Sequence, residues 1–568
     1  PEGESAVFLN LKKAMNWDFT NDSYIEIIDS CTIQGYRFSE GWARDQHVYF
    51  RTRFSKPFAS VEMDTTAIAL KGKRVGTAYI ARFNFDTEKG EQIVLSTALS
   101  GVSMEGAAKN MAAEAPHNDF DKYLAETKDN WNRQLGKIEV TGDNKDDKVN
   151  FYTALYHTMI APTIYSDVDG AYYGPDKKIH QTDGWVNYGT FSLWDTYRNY
   201  HQLMTLVYPE RQMDMIHTMM GMYKEHGWFP KWELYGRETL TMEGDPSIPV
   251  LVDSWMKGLQ DFDIDEAYKG MYKSATTPGK DNLMRPDNDD YMSKGYVPME
   301  SQYDNSVSHA LEYYVADYAL STLAEALGKK EDAKLFRKRS MGYKNYYSKD
   351  FGTLRPITKE GKFYEPFDPK EGANFAPSPG FHEGNAWNYT FFVPHDINGL
   401  VKLMGGDKKF VDKLQSVFDE GNYDPANEPD IAYPYLFSRF KGEEWRTQKL
   451  VKELLAKYFT TKPDGIPGND DTGTMSAWAI FSMMGFYPDC PGVPEYTLTT
   501  PTFDKVTVQL DPKYWGKKEL VIKKEGQGDY IKEIRLGNKK INKYLISHDD
   551  LIKAGEITFI VTENPNKK

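Results

Sequence analysis

GNDDTGTMSAWAIFSMMGFYP, residues 468–488, joins two kinds of chain. Met475, Trp478, Phe481 and Met484 recur at three-residue steps, the spacing of one buried helical face, and Gly485 stands where a C-terminal cap belongs. Ahead of this helix lie Asn469, Asp470, Asp471 and Thr472, behind a GIPG turn. A single aspartate suffices to cap a helix, so two acids beside an asparagine exceed that need. Backbone amides and the helix dipole stabilise an ionised carboxylate at such a position. The stretch therefore predicts a core helix with a charged acid at its mouth.

FHEGNAWNYTFF, residues 381–392, carries the same mixture of acid, glycine, asparagine and tryptophan. Glu383 is bracketed by Phe381, His382 and Trp387, and Gly384 argues against a helix interior at that point. A carboxyl among aromatic rings loses solvation, which raises its pKa and favours the protonated form. The plainer alternative is a glutamate capping a helix over residues 385–393. One carboxyl that keeps its proton and one that loses it form the pair that glycoside hydrolysis requires.

Working outward, helical periodicity dominates from about residue 148 to 490, as in VNFYTALYHTMIAP, RQMDMIHTMMGMYKEHG and VSHALEYYVADYALSTLAEALG. Long loops rich in Gly, Pro, Asp and Trp separate these segments. Helix pairs with such loops fit an α/α toroid whose loops gather around a cleft; an irregular helical domain is the other option. Residues 1–115 alternate with a period of two, in runs such as SAVFLNL, SYIEIID and HVYFRTRF, and predict an antiparallel β-sandwich. Residues 116–147 read as an amphipathic linking helix. From 495 to 568, KVTVQL, ELVIKKEG and ITFIVTE return to strands that pack as a second sheet or against the first. The fold class is multidomain α+β.

Composition narrows the chemistry. A formal net charge of −14 over 568 residues does not suit a phosphate-neutralising surface, which argues against nucleic acid. Aromatics reach 14%, with 38 Tyr and 12 Trp, and amphipathic rings suit sugar faces as well as ordinary interfaces. Cys31 and Cys490 match no zinc, redox or disulfide spacing. No run of 18 apolar residues is present to span a membrane.

Three further segments share the acidic, aromatic character. GTFSLWDTYR carries Trp194, Asp195 and Arg198; Asp195 can accept bonds from two sugar hydroxyls or pair with Arg198 on one helix face. GWFPKWELYGRETLTMEGDPS sets Trp228, Trp232, Glu233, Glu243 and Asp245 in a loop. NYDPANEPDIAYPYLF offers Asn427, Glu428 and Asp430 as a rigid turn or as oxygen ligands for a hard cation such as calcium, without EF-hand spacing.

EGNAWNYTFFVPHDINGL, NEPDIAYPYLF, DGIPGNDDTGTMSAWAIFSMMGFYP and GTFSLWDTYR, in this order of emphasis, together resemble glycoside hydrolase family 92, the calcium-dependent exo-acting α-mannosidases. The similarity spans roughly residues 150–500 and extends more loosely into the flanking β regions. It implies an N-terminal β-sandwich, a helical linker and an (α/α)6 barrel as catalytic domain over 148–494. It also implies a single-displacement mechanism that inverts the anomeric centre. By motif position Glu383 is the general acid and Asp471 the general base, with Asp470 and Asn469 beside it. Calcium would contact two hydroxyls of the bound mannose; Glu428, Asn388 and Asn427 are candidate ligands. Trp194, Asp195, Arg198, Trp387 and Glu428 would line the sugar pocket. The partner implied is an oligosaccharide, for a monomer acting in the periplasm or outside the cell. Two departures stand out: Pro1 falls inside the expected first domain, and Asn427 replaces a histidine usual in α-1,2-specific members. A non-hydrolytic glycan-binding protein on the same barrel is the rival reading.

Overall fold

Alternating burial builds the first part of the chain, as in Leu95–Ser100, where every second side chain is buried. The computed structural model describes residues 3–14, 18–70, 73–302, 305–373, 376 and 378–565. Strands β1 (Gly3–Asn10), β2 (Phe19–Asp29), β3 (Thr32–Glu40), β4 (Gln46–Phe54), β5 (Ser60–Leu70), β6 (Lys73–Thr87) and β7 (Leu95–Ser100) form two antiparallel sheets. Their orders are β1-β6-β5 and β2-β3-β4-β7. Ile25, Ile33, Phe50, Phe54, Phe83 and Phe85 fill the core between them.

Helix begins earlier than the expected boundary at 116. Ser103 caps α1 (Met104–Glu114) by accepting the Gly106 amide, so the chain turns helical directly after β7. The linking helix α2 (Phe120–Leu135) buries none of its side chains. Strand β8 (Ile138–Thr141) then pairs with Lys505–Gln509, so the end of the linker belongs to the C-terminal sheet. That sheet has six strands in the order Lys539–Ile541, Tyr530–Leu536, Glu556–Thr562, Glu519–Gly526, Lys505–Gln509 and β8.

The central region opens with α3 (Lys145–His157) and is helical through Thr474–Met484, with short strands and long loops between. Ser306–Ala326 buries residues on every side, and Thr474–Met484 is buried throughout. A helix apolar all round lies in an interior, so the one-sided face read at Met475, Trp478 and Phe481 was too narrow. One continuous core joins these helices to Val506, Leu520, Ile557 and Phe559 of the C-terminal sheet. The tail thus packs against the helices; the Trp515 indole, for example, donates to the Leu206 carbonyl at 3.2 Å. Among the described residues no helix is long and apolar enough to cross a membrane.

Candidate active site

Loops at the ends of buried helices bring four acids together. Asp195 lies in the short helix Leu193–Thr196 and accepts a hydrogen bond from Ser192. Its expected partner Arg198 turns away: the guanidinium meets Glu312 at 2.6 Å and stacks 4.7 Å from the Trp194 ring. Tyr197 also donates to Glu312, at 2.6 Å. Arg198 and Trp194 are fully buried in this brace, which leaves the Asp195 carboxylate without a cation.

Glu428 enters from the turn Glu428–Asp430, whose amide is held by the Asn427 side-chain oxygen at 3.0 Å. It is 2% exposed, and its Oε1 makes no hydrogen bond. Asp471 arrives from the stretch that opened the sequence. Asp470, not Asp471, serves the helix: its Oδ1 accepts the Ser476 amide at 2.9 Å. Asp471, Thr472 and Gly473 then run through φ of 46°, 53° and 94°, which swings the second aspartate off the helix mouth. Left-handed backbone at non-glycine residues costs on the order of 1–3 kcal/mol each and clusters at functional sites.

Asp195, Glu428 and Asp471 each offer a carboxylate oxygen, all within 4.8 Å of one another. Burial pushes all three carboxyls above the ordinary range, and neighbouring carboxylates add to the rise for Asp195 and Glu428. The helix amides expected to stabilise Asp471 go to Asp470 instead; burial and the Asp470 charge raise the Asp471 carboxyl, while its contact with Glu428 lowers it. Three anions this close need a cation to ionise together. An all-oxygen donor set of this kind fits a hard divalent ion such as calcium.

Glu383 completes the group. It is half-buried, at φ 48°, and is not the cap of the helix behind it. Asn385 caps that helix, which spans only Ala386–Thr390 instead of 385–393. Burial raises the Glu383 carboxyl, the adjoining His382 lowers it, and the Asp471 charge raises it further. His382 Nδ1 lies 3.3 Å from Glu243, whose other oxygen is 2.5 Å from His309 Nε2. This buried Glu243–His309 pair was visible only as one acid in a loop, because its partner lies far along the chain. Glu233, from the same loop, is instead used internally, accepting the amides of Thr190 and Gly236.

The remaining candidates divide. Asn388 spends its oxygen on the Asn385 amide at 3.1 Å and its amide on Asp430 at 2.9 Å, so it shapes the loop. Asn427 donates to the Glu383 carbonyl and accepts the Glu428 amide, tying the two acidic loops together. Each of these oxygens already accepts a backbone amide, and Asp195, expected only in the sugar pocket, joins Glu428 and Asp471 instead. Trp387 is buried under Lys413, whose Nζ lies 3.7 Å from the ring centroid. Asn469 is exposed beside the acids. A separate cleft of about 480 Å³, bordered by Asn144, Asp147, Gln448 and Lys524, includes none of these residues.

Strands, then helices, then strands, with facing carboxylates supplied by the loops of the helical region, have the layout expected of a glycoside hydrolase. The chain belongs to glycosyl hydrolase family 92: residues 106–563 match the catalytic domain and residues 1–100 the N-terminal domain. It is similar to a family GH92 alpha-mannosidase of Bacteroides thetaiotaomicron solved in complex with mannoimidazole, with TM-score 0.91 and 29% identity over 100% of this chain and 77% of that one. A family GH92 inverting mannosidase of the same organism matches at TM-score 0.89 and 28% identity, covering 99% of this chain and 79% of that one. An uncharacterized secreted glycosidase of Arthroderma benhamiae is 25% identical over 562 residues, which is 92% of this chain and 67% of the relative.

Proposed function

We propose that the protein is an exo-acting α-mannosidase that releases terminal mannose from α-mannosides such as N-glycans or mannans, with inversion. The observation that carries this reading is the convergence of Asp195, Glu428 and Asp471 beside Glu383. The similar solved mannosidases, one of them inverting, support it.

Glu383, whose carboxyl burial and the Asp471 charge shift toward the protonated form, donates its proton to the leaving glycosidic oxygen. Asp471 accepts a proton from the attacking water on the opposite face of the sugar, as inversion requires. Asp195 and Glu428, together with Asp471, would hold calcium, which supplies positive charge against the sugar hydroxyls and lets the three carboxyls ionise. Ser192 hydrogen-bonds Asp195, the Arg198–Glu312 pair with Trp194 braces the short helix that carries it, and Asn469 borders the sugar, with Trp387 behind Lys413.

Asn427, fastened to the Glu383 backbone, offers no imidazole to a second sugar, which favours linkages other than α-1,2. In this reading residues 148–494 form an (α/α)6 barrel. An N-terminal β unit ending at β7, a linker of α1 and α2, and a β-rich segment (495–568) that takes in β8 flank it, and the enzyme works in the periplasm or outside the cell.

Incubation of an aryl α-mannoside with the protein in an NMR tube tests the proposal. β-Mannose is expected as the first product, with hydrolysis abolished by exhaustive EDTA and restored by calcium. α-Mannose appearing first, or full activity after chelation, would refute inversion or the calcium role respectively.

A further inference from the structure

A second group of ligand-bearing side chains lies outside the site just described. Ala171–Tyr173 and Ile179–Gln181 form a short antiparallel hairpin, and the long helix Pro209–His226 carries Glu225 near its C-terminal end. Asp176 in the hairpin turn, His180 on its second strand and Glu225 on the helix each present a ligand atom, all within 4.8 Å of one another. His180 Nε2 already faces Asp176 Oδ1 at 2.9 Å.

Two observations point to an occupant. Tyr172 donates to Glu225 Oε1 at 2.5 Å, but Glu225 Oε2 is buried and makes no hydrogen bond. A buried carboxylate oxygen without a partner is destabilising until something meets it. Gly174, in turn, keeps the space between the three groups open. A Cβ there would stand 2.5 Å from Glu225 Oε2, 2.7 Å from His180 Cδ2 and 3.1 Å from Asp176 Oδ1. All three groups therefore converge on one small volume beside a glycine whose backbone needs no positive φ. A cleft of about 460 Å³ bordered by Tyr172, Trp185, His217 and Glu225 gives solvent access to that volume.

We propose that Asp176, His180 and Glu225 form a binding site for a borderline divalent cation, zinc by preference, which clamps the hairpin to the long helix. One imidazole and two carboxylates with an open position for water suit zinc, whereas the all-oxygen group at Asp195, Glu428 and Asp471 suits calcium. The site also has a mechanical setting. On the other side of the hairpin turn, Arg237 donates to the Gly174 carbonyl at 2.7 Å and pairs with Asp45 at 3.2 Å. Lys177 meets the same Asp45 at 2.9 Å. The hairpin is thus held to the β3–β4 connection on one side, and the cation fixes it to the helix on the other. Lys178, 3.3 Å from Asp176, is the nearby charge that must yield when the cation enters.

The test is zinc uptake by the whole chain, measured by equilibrium dialysis in excess calcium. One zinc per chain is expected for the wild type. His180→Ala and Glu225→Gln should weaken it at least about tenfold, and Glu428→Gln should leave it unchanged. Gly174→Ala, which fills the space without altering any ligand, should also weaken uptake. Cobalt substituted for zinc should give visible absorption bands that vanish in His180→Ala, and zinc should raise the melting temperature of the wild type but not of that variant. No uptake by the wild type, uptake indifferent to His180 and Glu225, or uptake lost in Glu428→Gln would each overturn the proposal.

Discussion

Two buried acidic clusters in the helical region have opposite settings. Asp245 and Asp317 share Arg285, at 2.9 Å each, and Asp317 also meets Arg339 at 2.8 Å and the Tyr291 hydroxyl at 2.9 Å. Asp195, Glu428 and Asp471 have no such partner: the nearest guanidinium, Arg198, is committed to Glu312. Burying a charge is tolerable when it is paired and hydrogen-bonded, and expensive when it faces its own kind. The first cluster is scaffold. The second retains its cost, as the proposed cation site requires of unpaired carboxylates.

The largest expected effect falls on the unpaired cluster. Asp471→Asn should lower kcat on an α-mannoside by about 10²–10⁴-fold, the usual worth of a positioned general base. Its melting temperature without calcium should hold or rise, since one titratable group leaves a crowded acidic set. Glu383→Gln should cost a similar factor on alkyl mannosides and far less on aryl mannosides with good leaving groups, as steady-state kinetics on the two substrates would reveal. The paired cluster should respond the other way. Arg285→Met leaves Asp245 without its cation and Asp317 with Arg339 alone, and should remove about 3–5 kcal/mol of stability in denaturant titration.

Acid should act through a third set of buried groups. Burial pushes His201 and His395 down to about 4 and His548 to about 3, against an unfolded value of 6.5. Between those values the unfolded chain binds protons that the folded chain refuses. Stability from these histidines is therefore intact above pH 6.5 and declines as pH falls toward 4, by at most about 3 kcal/mol for each. A series of melting curves from pH 7 to pH 4 measures it; a flat profile would mean the histidines are not neutral in the fold. The smallest effect is expected at Trp42, which stacks on Trp232 at 4.3 Å and joins the first sheets to the central loops. Trp42→Ala should cost about 0.5–1.5 kcal/mol in the same melts.

Much of this was legible in sequence because local periodicity is a local property. The alternating runs before residue 100, the helix at 474–484 and the strands after 500 follow directly from side-chain order. The pairing of β8 with Lys505–Gln509 was not legible, since the register is decided by contacts more than 360 residues apart, from Ile138 to Val508. The site shows the same division. Glu383, Glu428 and Asp471 stood out through composition, but which aspartate caps the helix depended on three left-handed residues. Asp195 read equally well as half of a pair with Arg198 until Glu312 claimed the guanidinium. Asn388 and Asn427 had suitable oxygen chemistry, yet each oxygen already accepts a backbone amide, which no local pattern announces.

The claim that mutually facing, unpaired acids mark the site is tested most directly by calorimetric titration of calcium into the chelated protein. Wild type should bind one calcium per chain at the Asp195, Glu428 and Asp471 group, with that binding lost in Glu428→Gln and unchanged in Asp317→Asn. Calcium binding that survives Glu428→Gln, or none in the wild type, would contradict it.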